Sequence, residues 1–358
     1  MLKFRHNPQF RFLFAVCVLS TWQMGCSISN SACSSEQRIT EHLNQNSKNE
    51  SAERSLDSSV QSNNLFEEER PAHIQVCAFN AHLLPEIASL FVGKRGQSRY
   101  RSTEIGQRMR AWDIIGLSEV FDSQRSKDLI TSLQEQSGEF HIARGLGRRG
   151  RHLTGSGLLL ASRFPIISSN QHTFQNSPHL FTKGPKGDGL AAKGILHARL
   201  KIGKLEIDCF LTHLESQNRS VRDEQTKELK QFLEEHRNPE IPALLMGDFN
   251  IVFETSSGSA NSEYEMLMKL IGGSKGTFED AAKKTEGPAG TSDALARDGD
   301  KRIDYIFVSN STDGTKRLRP IHSQHEPFLD SQVREGSLSD HLAIISTFEV
   351  QTASERWQ

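Results

Sequence analysis

The stretch IPALLMGDFN, residues 241–250, is a short apolar run that closes on Gly247, Asp248 and Asn250. A buried strand ending in polar side chains delivers them to its C-terminal mouth, where ligands of α/β sheets sit. Gly, Asp and Asn are equally the residues of an ordinary turn, so GDFN alone leaves both readings open. The rest of the chain decides between them.

From Pro71 onward the sequence is a series of short apolar runs bounded by turn residues. They are IQVCAFN (74–80), DIIGLSE (113–119), GSGLLLASRFPII (155–167), GILHARLKI (194–202), LEIDCFLTH (205–213), RIDYIFV (302–308) and HLAIISTFEV (341–350). With the opening stretch they make eight strand candidates, enough for a large sheet assembly. Helical patterns lie between them, clearest in VRDEQTKELKQFLEEH (221–236), where Val221, Leu229, Phe232 and Leu233 fall on one face. Strands interleaved with helices predict a layered α/β domain over residues 71–350, with a short tail at 351–358.

The chain is 358 residues long and 35% hydrophobic, with a net charge of -1. It can bury a full core, and its overall charge directs it to neither nucleic acid nor an anionic membrane. Residues 1–26 place Lys3, Arg5 and Arg11 around the start of an apolar run of about ten residues, the layout of a signal peptide and too short for a spanning helix, which needs about 20. QMGC places Gly25 before Cys26 and loosely resembles a lipoprotein signal, although Gln23 stands where that pattern wants an aliphatic residue. The expectation is export, with the protein either secreted or tethered to the cell envelope through Cys26. Residues 27–70 are rich in Ser, Asn, Gln and Glu and read as a disordered tether. The five cysteines show no CxxC and no regular spacing, which argues against a disulfide framework or a zinc knuckle. Cys77 and Cys209 lie inside strand candidates and read as small buried hydrophobes.

The polar residues at the strand edges form a pattern. CAFN ends in Asn80, IIGLSE in Glu119, CFLTH in His213 and LLMGDFN in Asp248 and Asn250, while KRID carries Asp304 and LSDH carries Asp340 and His341. Any one of these is an ordinary cap or turn residue, but six such edges in one chain point to a site. Carboxylate and amide oxygens suit a hard cation, and thiolate ligands are absent from the set. Glu119 is the first candidate ligand, with Asn80 beside it. Hydrolysis of a phosphodiester also needs a base, stabilisation of developing charge and a proton for the leaving oxygen, and the two histidines and further acids cover those tasks.

Taken together, FN…LP, SEVFD, THLES, GDFN, RIDYIFV and SDH resemble the endonuclease/exonuclease/phosphatase superfamily, and within it the neutral and bacterial sphingomyelinases, over about residues 73–350. FNAHLLP with Asn80 and Pro85, EVFD from Glu119 to Asp122, and DGLAAKG from Asp188 to Gly194 carry the narrower likeness. The resemblance implies a deoxyribonuclease I-like fold, a four-layer α/β/β/α sandwich of two mixed sheets. It implies Mg2+, with Mn2+ as the alternative, bound by Glu119, with Asn80 helping to hold the metal or the phosphate. It also implies Asp248 and Asn250 positioning the attacking water, His341 as base with Asp304 orienting its ring and Asp340 nearby, His213 stabilising the phosphorane or the leaving group, and Lys193 serving the phosphate. The division of labour between Asp248 and His341 stays open, and Lys193 has the alternative reading of an exposed loop lysine. Ser118 stands where the family commonly has Gln or Asn before the glutamate, a departure expected to alter the surroundings of the ligand.

The implied partner is a phospholipid or sphingolipid at a membrane surface, acted on by a monomer. Haemolytic sphingomyelinases often carry an exposed aromatic hairpin late in the chain, whereas here Phe328 is the one aromatic residue between Val308 and Ser339. RGLGRRGRH (144–152) instead offers Arg144, Arg148, Arg149, Arg151 and His152 for lipid headgroups or a polyanion. That patch keeps a deoxyribonuclease-like endonuclease, acting on nucleic acid with the same residues, as the alternative activity. A surface binding module without catalysis is a third reading, disfavoured by the completeness of the set.

Overall fold

The computed structural model describes residues 71–84, 96–135, 138–145, 154–176, 191–253, 261–273, 275–287 and 301–352. The signal peptide, the tether, Cys26, Pro85, Asp188, and Arg148, Arg149, Arg151 and His152 lie outside them. In chain order the elements are β1 (His73–Leu83), α1 (Ser98–Met109), β2 (Ile114–Val120), α2 (Ser123–Gln134), β3 (His141–Arg144), β4 (Leu159–Ser162), β5 (Ile166–Thr173), β6 (Gly194–Ile202) and β7 (Leu205–His213). These are followed by α3 (Arg219–His236), β8 (Ala243–Asp248), α4 (Ser262–Ile271), β9 (Glu279–Asp280), α5 (Ala281–Lys284), β10 (Asp304–Ser309), β11 (Lys316–Glu326) and β12 (Ala343–Thr352).

Two mixed sheets form, in the orders β11-β12-β1-β2-β4-β3 and β5-β6-β7-β8-β10-β9. Each contains one parallel pair, β1 with β2 and β7 with β8, and the connections of these pairs carry α1 and α3. Strand alternation explains how the sheets stack. On β1, Ile74, Val76 and Ala78 enter one cluster with Leu244 and Met246 of β8 and Ile306 and Val308 of β10, which is the layer between the sheets. The intervening Cys77, Phe79 and Ala81 pack instead with Ile105 and Met109 of α1 and Leu129 and Leu133 of α2. On the other sheet Phe210, Leu245 and Phe307 meet Leu229, Phe232 and Leu233 of α3 and Leu267 and Ile271 of α4. A period of two against two apolar layers therefore builds the α/β/β/α sandwich. Gly116 of β2 lies where the sheets approach closely, since a Cβ there would come within 2.7 Å of Met246 Sδ.

The sequence reading needs amendment in several places. GSGLLLASRFPII is not one strand: β4 and β5 belong to different sheets, and the chain crosses between them at residues 163–165. Strands β3, β9 and β11 were not expected, and β12 runs on to Thr352, into the supposed tail. Helix α3 begins two residues before the pattern that predicts it, capped by Asn218, which accepts from Ser220 N and Val221 N. Leu229, Phe232 and Leu233 are buried as expected, but Val221 is only half-buried. Cys77 and Cys209 are buried free thiols. Among the described residues no helix is long and apolar enough to cross a membrane.

Candidate active site

The alternation that fills the layer between the sheets also places the polar set. Continuing the inward-facing columns by two residues leads from Ala78 to Asn80, from Leu211 to His213, from Met246 to Asp248 and from Ile306 to Asp304. All four lie at one end of the sandwich, and the register fixes them side by side: His213 pairs with Asp248, and Asp248 with Asp304. Asp304, Asp340 and His341 do not stand at C-terminal strand ends. Asp304 opens β10 and the other two precede β12, and antiparallel pairing brings these starts to the edge where β1, β2, β7 and β8 finish.

Two residues leave the alternation. Glu119 has φ 59° and His82 has φ 48°. Such left-handed backbone is uncommon for non-glycine residues and recurs at functional sites. Gly247 supplies the same freedom with φ 131°, and a Cβ there would run into Thr212 O. The glycine of GDFN thus lets β8 press against β7, and the turn-forming and site-forming readings of that motif hold together. Asn250, also left-handed at φ 53°, donates its amide N–H to Asp248 Oδ1 over 2.9 Å and its side-chain Nδ2–H to Leu214 O over 3.0 Å.

Asn80 Nδ2 donates to Asp248 Oδ2 at 3.0 Å, which joins the two sheets. Lys193 is 1% exposed, which ends its reading as an exposed loop lysine. Its Nζ lies 2.7 Å from His213 Nε2, and that nitrogen lies 3.5 Å from Asp248 Oδ2 and 3.8 Å from Glu119 Oε1. His341 Nδ1 lies 2.8 Å from Asp304 Oδ2, and its Nε2 is 3.8 Å from Asp248 Oδ2. His82 Nδ1 lies 3.3 Å from Glu119 Oε2 and 3.2 Å from Asp340 Oδ1. All the sequence-predicted site residues are therefore gathered at this edge.

Burial and charge act against one another here. Burial works against ionisation of Glu119, but the His82 hydrogen bond and the charges of His82, His213 and Lys193 hold its carboxyl well below the usual range. Asp248 is pushed up to about 7 by burial and by the neighbouring charge of Asp304. Burial opposes a charge on His341, yet Asp304, with help from Asp248 and Asp340, raises the imidazole to about 10. Four carboxylates share this small volume, and such an excess of hard oxygen donors fits a divalent cation. Among the described residues Asp248, Asp304 and His341 offer such a place, with ligand atoms within 4.8 Å of one another. There His341 Nδ1 and Asp304 Oδ2 already engage each other.

Sequence reasoning missed three contributors. His82 stands two residues beyond Asn80, where the left-handed backbone takes it out of the alternation. Arg101, 1% exposed, donates from Nε to Leu338 O and from Nη2 to Ala81 O and His82 O, tying α1 to the end of β1 and to the segment before β12. Ser339 donates to Asn80 O at 2.6 Å and accepts from His341 N at 3.2 Å. Asp122, quoted within SEVFD, is the N-cap of α2 and accepts from Gln124 N and Arg125 N. Ser118 is buried, and its hydroxyl has no hydrogen-bond partner.

Known proteins share this fold. The model of the Endonuclease/Exonuclease/phosphatase family matches residues 79–341, spanning the site from its first strand to His341. Sphingomyelinase C of Listeria ivanovii is 23% identical over 295 residues, covering 76% of this chain and 81% of that protein. The inositol phosphosphingolipids phospholipase C of Schizosaccharomyces pombe is 26% identical over 300 residues, covering 72% of this chain and 66% of that protein. The crystal structure of a Staphylococcus aureus beta toxin mutant with bound magnesium ions superposes with a TM-score of 0.58 at 17% identity, over 76% of this chain and 98% of the toxin. With the two-sheet sandwich in place and more than half its length matched by the family model, this chain belongs to the endonuclease/exonuclease/phosphatase family.

Proposed function

We propose that the chain is a cation-dependent phosphodiesterase that hydrolyses sphingomyelin to ceramide and phosphocholine. The observation that carries this reading is the meeting of the His341–Asp304 pair with Asp248 on one side of the site, opposite the Lys193–His213 pair. The site thus holds a proton acceptor and donors for a phosphoryl group at one end of the sandwich. The sphingolipid relatives support the choice of substrate.

In this reading Glu119 and Asn80 hold Mg2+ or Mn2+. When bound, the cation supplies positive charge to the phosphoryl oxygens and offsets the carboxylates that raise His341. With Nδ1–H given to Asp304, the imidazole presents Nε2 to the attacking water and takes its proton. Asp248 orients that water, aided by the Asn80 and Asn250 hydrogen bonds that fix both its oxygens. Lys193 and His213, whose Nε2 lies 2.7 Å from the Lys193 ammonium, together stabilise the charge that develops on the phosphoryl group or the leaving oxygen. Asp340 steadies the cation side of the site through His82. A monomer acting at a membrane surface after export, released or held through Cys26, completes the proposal.

The paired assay that tests it offers mixed micelles of sphingomyelin and supercoiled plasmid under identical conditions, with magnesium or with chelator. Magnesium-dependent release of phosphocholine is expected. Intact micelles beside nicked plasmid would replace this reading with the endonuclease.

A further inference from the structure

His82 lies within the site but outside every role assigned above to proton transfer or phosphate. Its place is fixed by the backbone: its N–H donates to Asn80 Oδ1 at 3.0 Å, its carbonyl accepts from Arg101 Nη2 at 2.9 Å, and its φ is 48°. The residue is 8% exposed, so its ring stays within the site. Its Nδ1 stands between two carboxylates from separate segments, 3.3 Å from Glu119 Oε2 on β2 and 3.2 Å from Asp340 Oδ1 before β12. Its Nε2 is buried with no hydrogen-bond partner. Everything the side chain does by hydrogen bonding therefore passes through Nδ1.

We infer that His82 is a positioning residue for the cation site, its Nδ1 bridging Glu119 and Asp340 so that both carboxylates face the cation in fixed orientations. The inference rests on the proposed reading of the site as cation-binding. Without the bridge, two like charges at a strand end and on a loop repel and rotate independently, and the cation must order them itself. Outer partners of this kind are worth roughly 10- to 100-fold in metal affinity. The bridge also joins the end of β1 to β2 and to the segment that presents His341, so Asp340 cannot drift without disturbing its neighbour.

An amide can stand in for the imidazole. The side-chain nitrogen of asparagine is bonded to Cγ as Nδ1 is, and asparagine tolerates left-handed backbone better than most residues. His82→Asn therefore keeps the N–H at the bridging place while deleting Nε2, and His82→Leu keeps bulk while deleting the bridge.

The test is Mn2+ binding to the full chain, read from the electron paramagnetic resonance of free Mn2+ and by calorimetry, with melting temperature as the check on folding. Wild type binds, His82→Asn is expected within about threefold of it, and His82→Leu is expected to weaken the dissociation constant about tenfold or more. Should His82→Leu fail to fold, His82→Gln takes its place, because its nitrogen sits one bond further out and misses the bridge. Equal or tighter binding by His82→Leu, or by His82→Gln where it stands in, overturns the inference, as does a folded His82→Asn as weak as either. A wild type that binds no Mn2+ fails at the earlier step and sinks the cation reading itself.

Discussion

His341 Nδ1 lies 2.8 Å from Asp304 Oδ2, and the two residues belong to opposite sheets of the sandwich. Asp304 opens β10 of one sheet, while His341 precedes β12 of the other, so the pair forms only when both sheets are packed. Catalysis in this reading is thereby tied to completion of the core.

Asp304→Asn keeps the shape of the pair and removes its charge. We expect turnover to fall about 10²- to 10⁴-fold and the melting temperature to drop near neutral pH, because the imidazole loses the partner that fixes its tautomer and stabilises its charge. The His341 imidazole should also titrate lower, as Asp304 is the main group raising it against burial. Its folded-state pKa, about 10, lies above that of an unfolded histidine, about 6.5. The pair's contribution to stability is therefore complete below pH 6.5 and is lost as pH rises towards 10 in cation-free protein. NMR titration of the His341 ring protons and thermal melts across that range check both. An unshifted ring resonance in the variant would remove Asp304 from this role.

Glu119→Gln keeps the size of the side chain and removes a hard anionic ligand. The half-saturating magnesium concentration for activity should rise at least tenfold, with maximal rate less affected at saturating cation. A metal titration superposable on wild type would exclude Glu119 from the cation.

Much of this site is legible in the sequence because one period governs both core and chemistry. The columns Ile74-Val76-Ala78, Ile207-Cys209-Leu211 and Leu244-Met246 are apolar until their last position, and there the sequence turns to Asn80, His213 and Asp248. His82 escaped notice because no periodicity announces a left-handed residue that carries a side chain. Lys193 was legible through resemblance, whereas its burial against His213 depends on β6 pairing with β7, a contact between separate runs. The crossing at residues 163–165 was hidden because an uninterrupted apolar run looks the same whether it serves one sheet or two.

Away from the site, Asp208 is fully buried on β7 and accepts from Arg199 Nε at 2.8 Å and Asn238 N at 2.8 Å, with His197 Nε2 at 2.9 Å. Burial raises its pKa, but these partners prevail and hold it below the ordinary value. The sign follows: its stabilisation is present above an unfolded pKa of about 3.9 and is lost as pH falls through the lowered folded value. Asp208→Ala should cost about 3–5 kcal/mol, since buried His197 and half-buried Arg199 lose their acceptor. Chemical denaturation at pH 7 and at pH 3 measures it, and the difference between variant and wild type should shrink at the lower pH.

Ser118 offers the opposite expectation. Its hydroxyl is buried without a partner, so the desolvation it suffers on folding is uncompensated. Ser118→Ala should be neutral or stabilising by up to about 1 kcal/mol, measured by denaturant unfolding. A loss above 1 kcal/mol would show that the hydroxyl has a partner in solution.

Phe328 bears on how the chain would meet a membrane in the proposed reading. It is the one aromatic residue between Val308 and Ser339, the part of the chain where an inserting hairpin is expected from the sphingomyelinase resemblance. In this fold the ring is 0% exposed, stacked at 4.6 Å on Phe79 of β1 and 5.9 Å from Trp112. It belongs to the layer between the first sheet and its helices, and its neighbour Leu329 is the exposed one at 54%. A core ring and an inserting ring respond differently to removal. Phe328→Ala should destabilise by about 3–5 kcal/mol, because it opens a cavity among Phe79, Trp112 and Leu338. Sedimentation with neutral phosphatidylcholine vesicles, carried out below the melting temperature, should be unchanged by the substitution. A variant that melts like wild type but no longer sediments would make Phe328 a membrane anchor and refute its place in the core. The expected result leaves surface attraction to charge, so adding salt should weaken the binding of wild type to anionic vesicles by screening it.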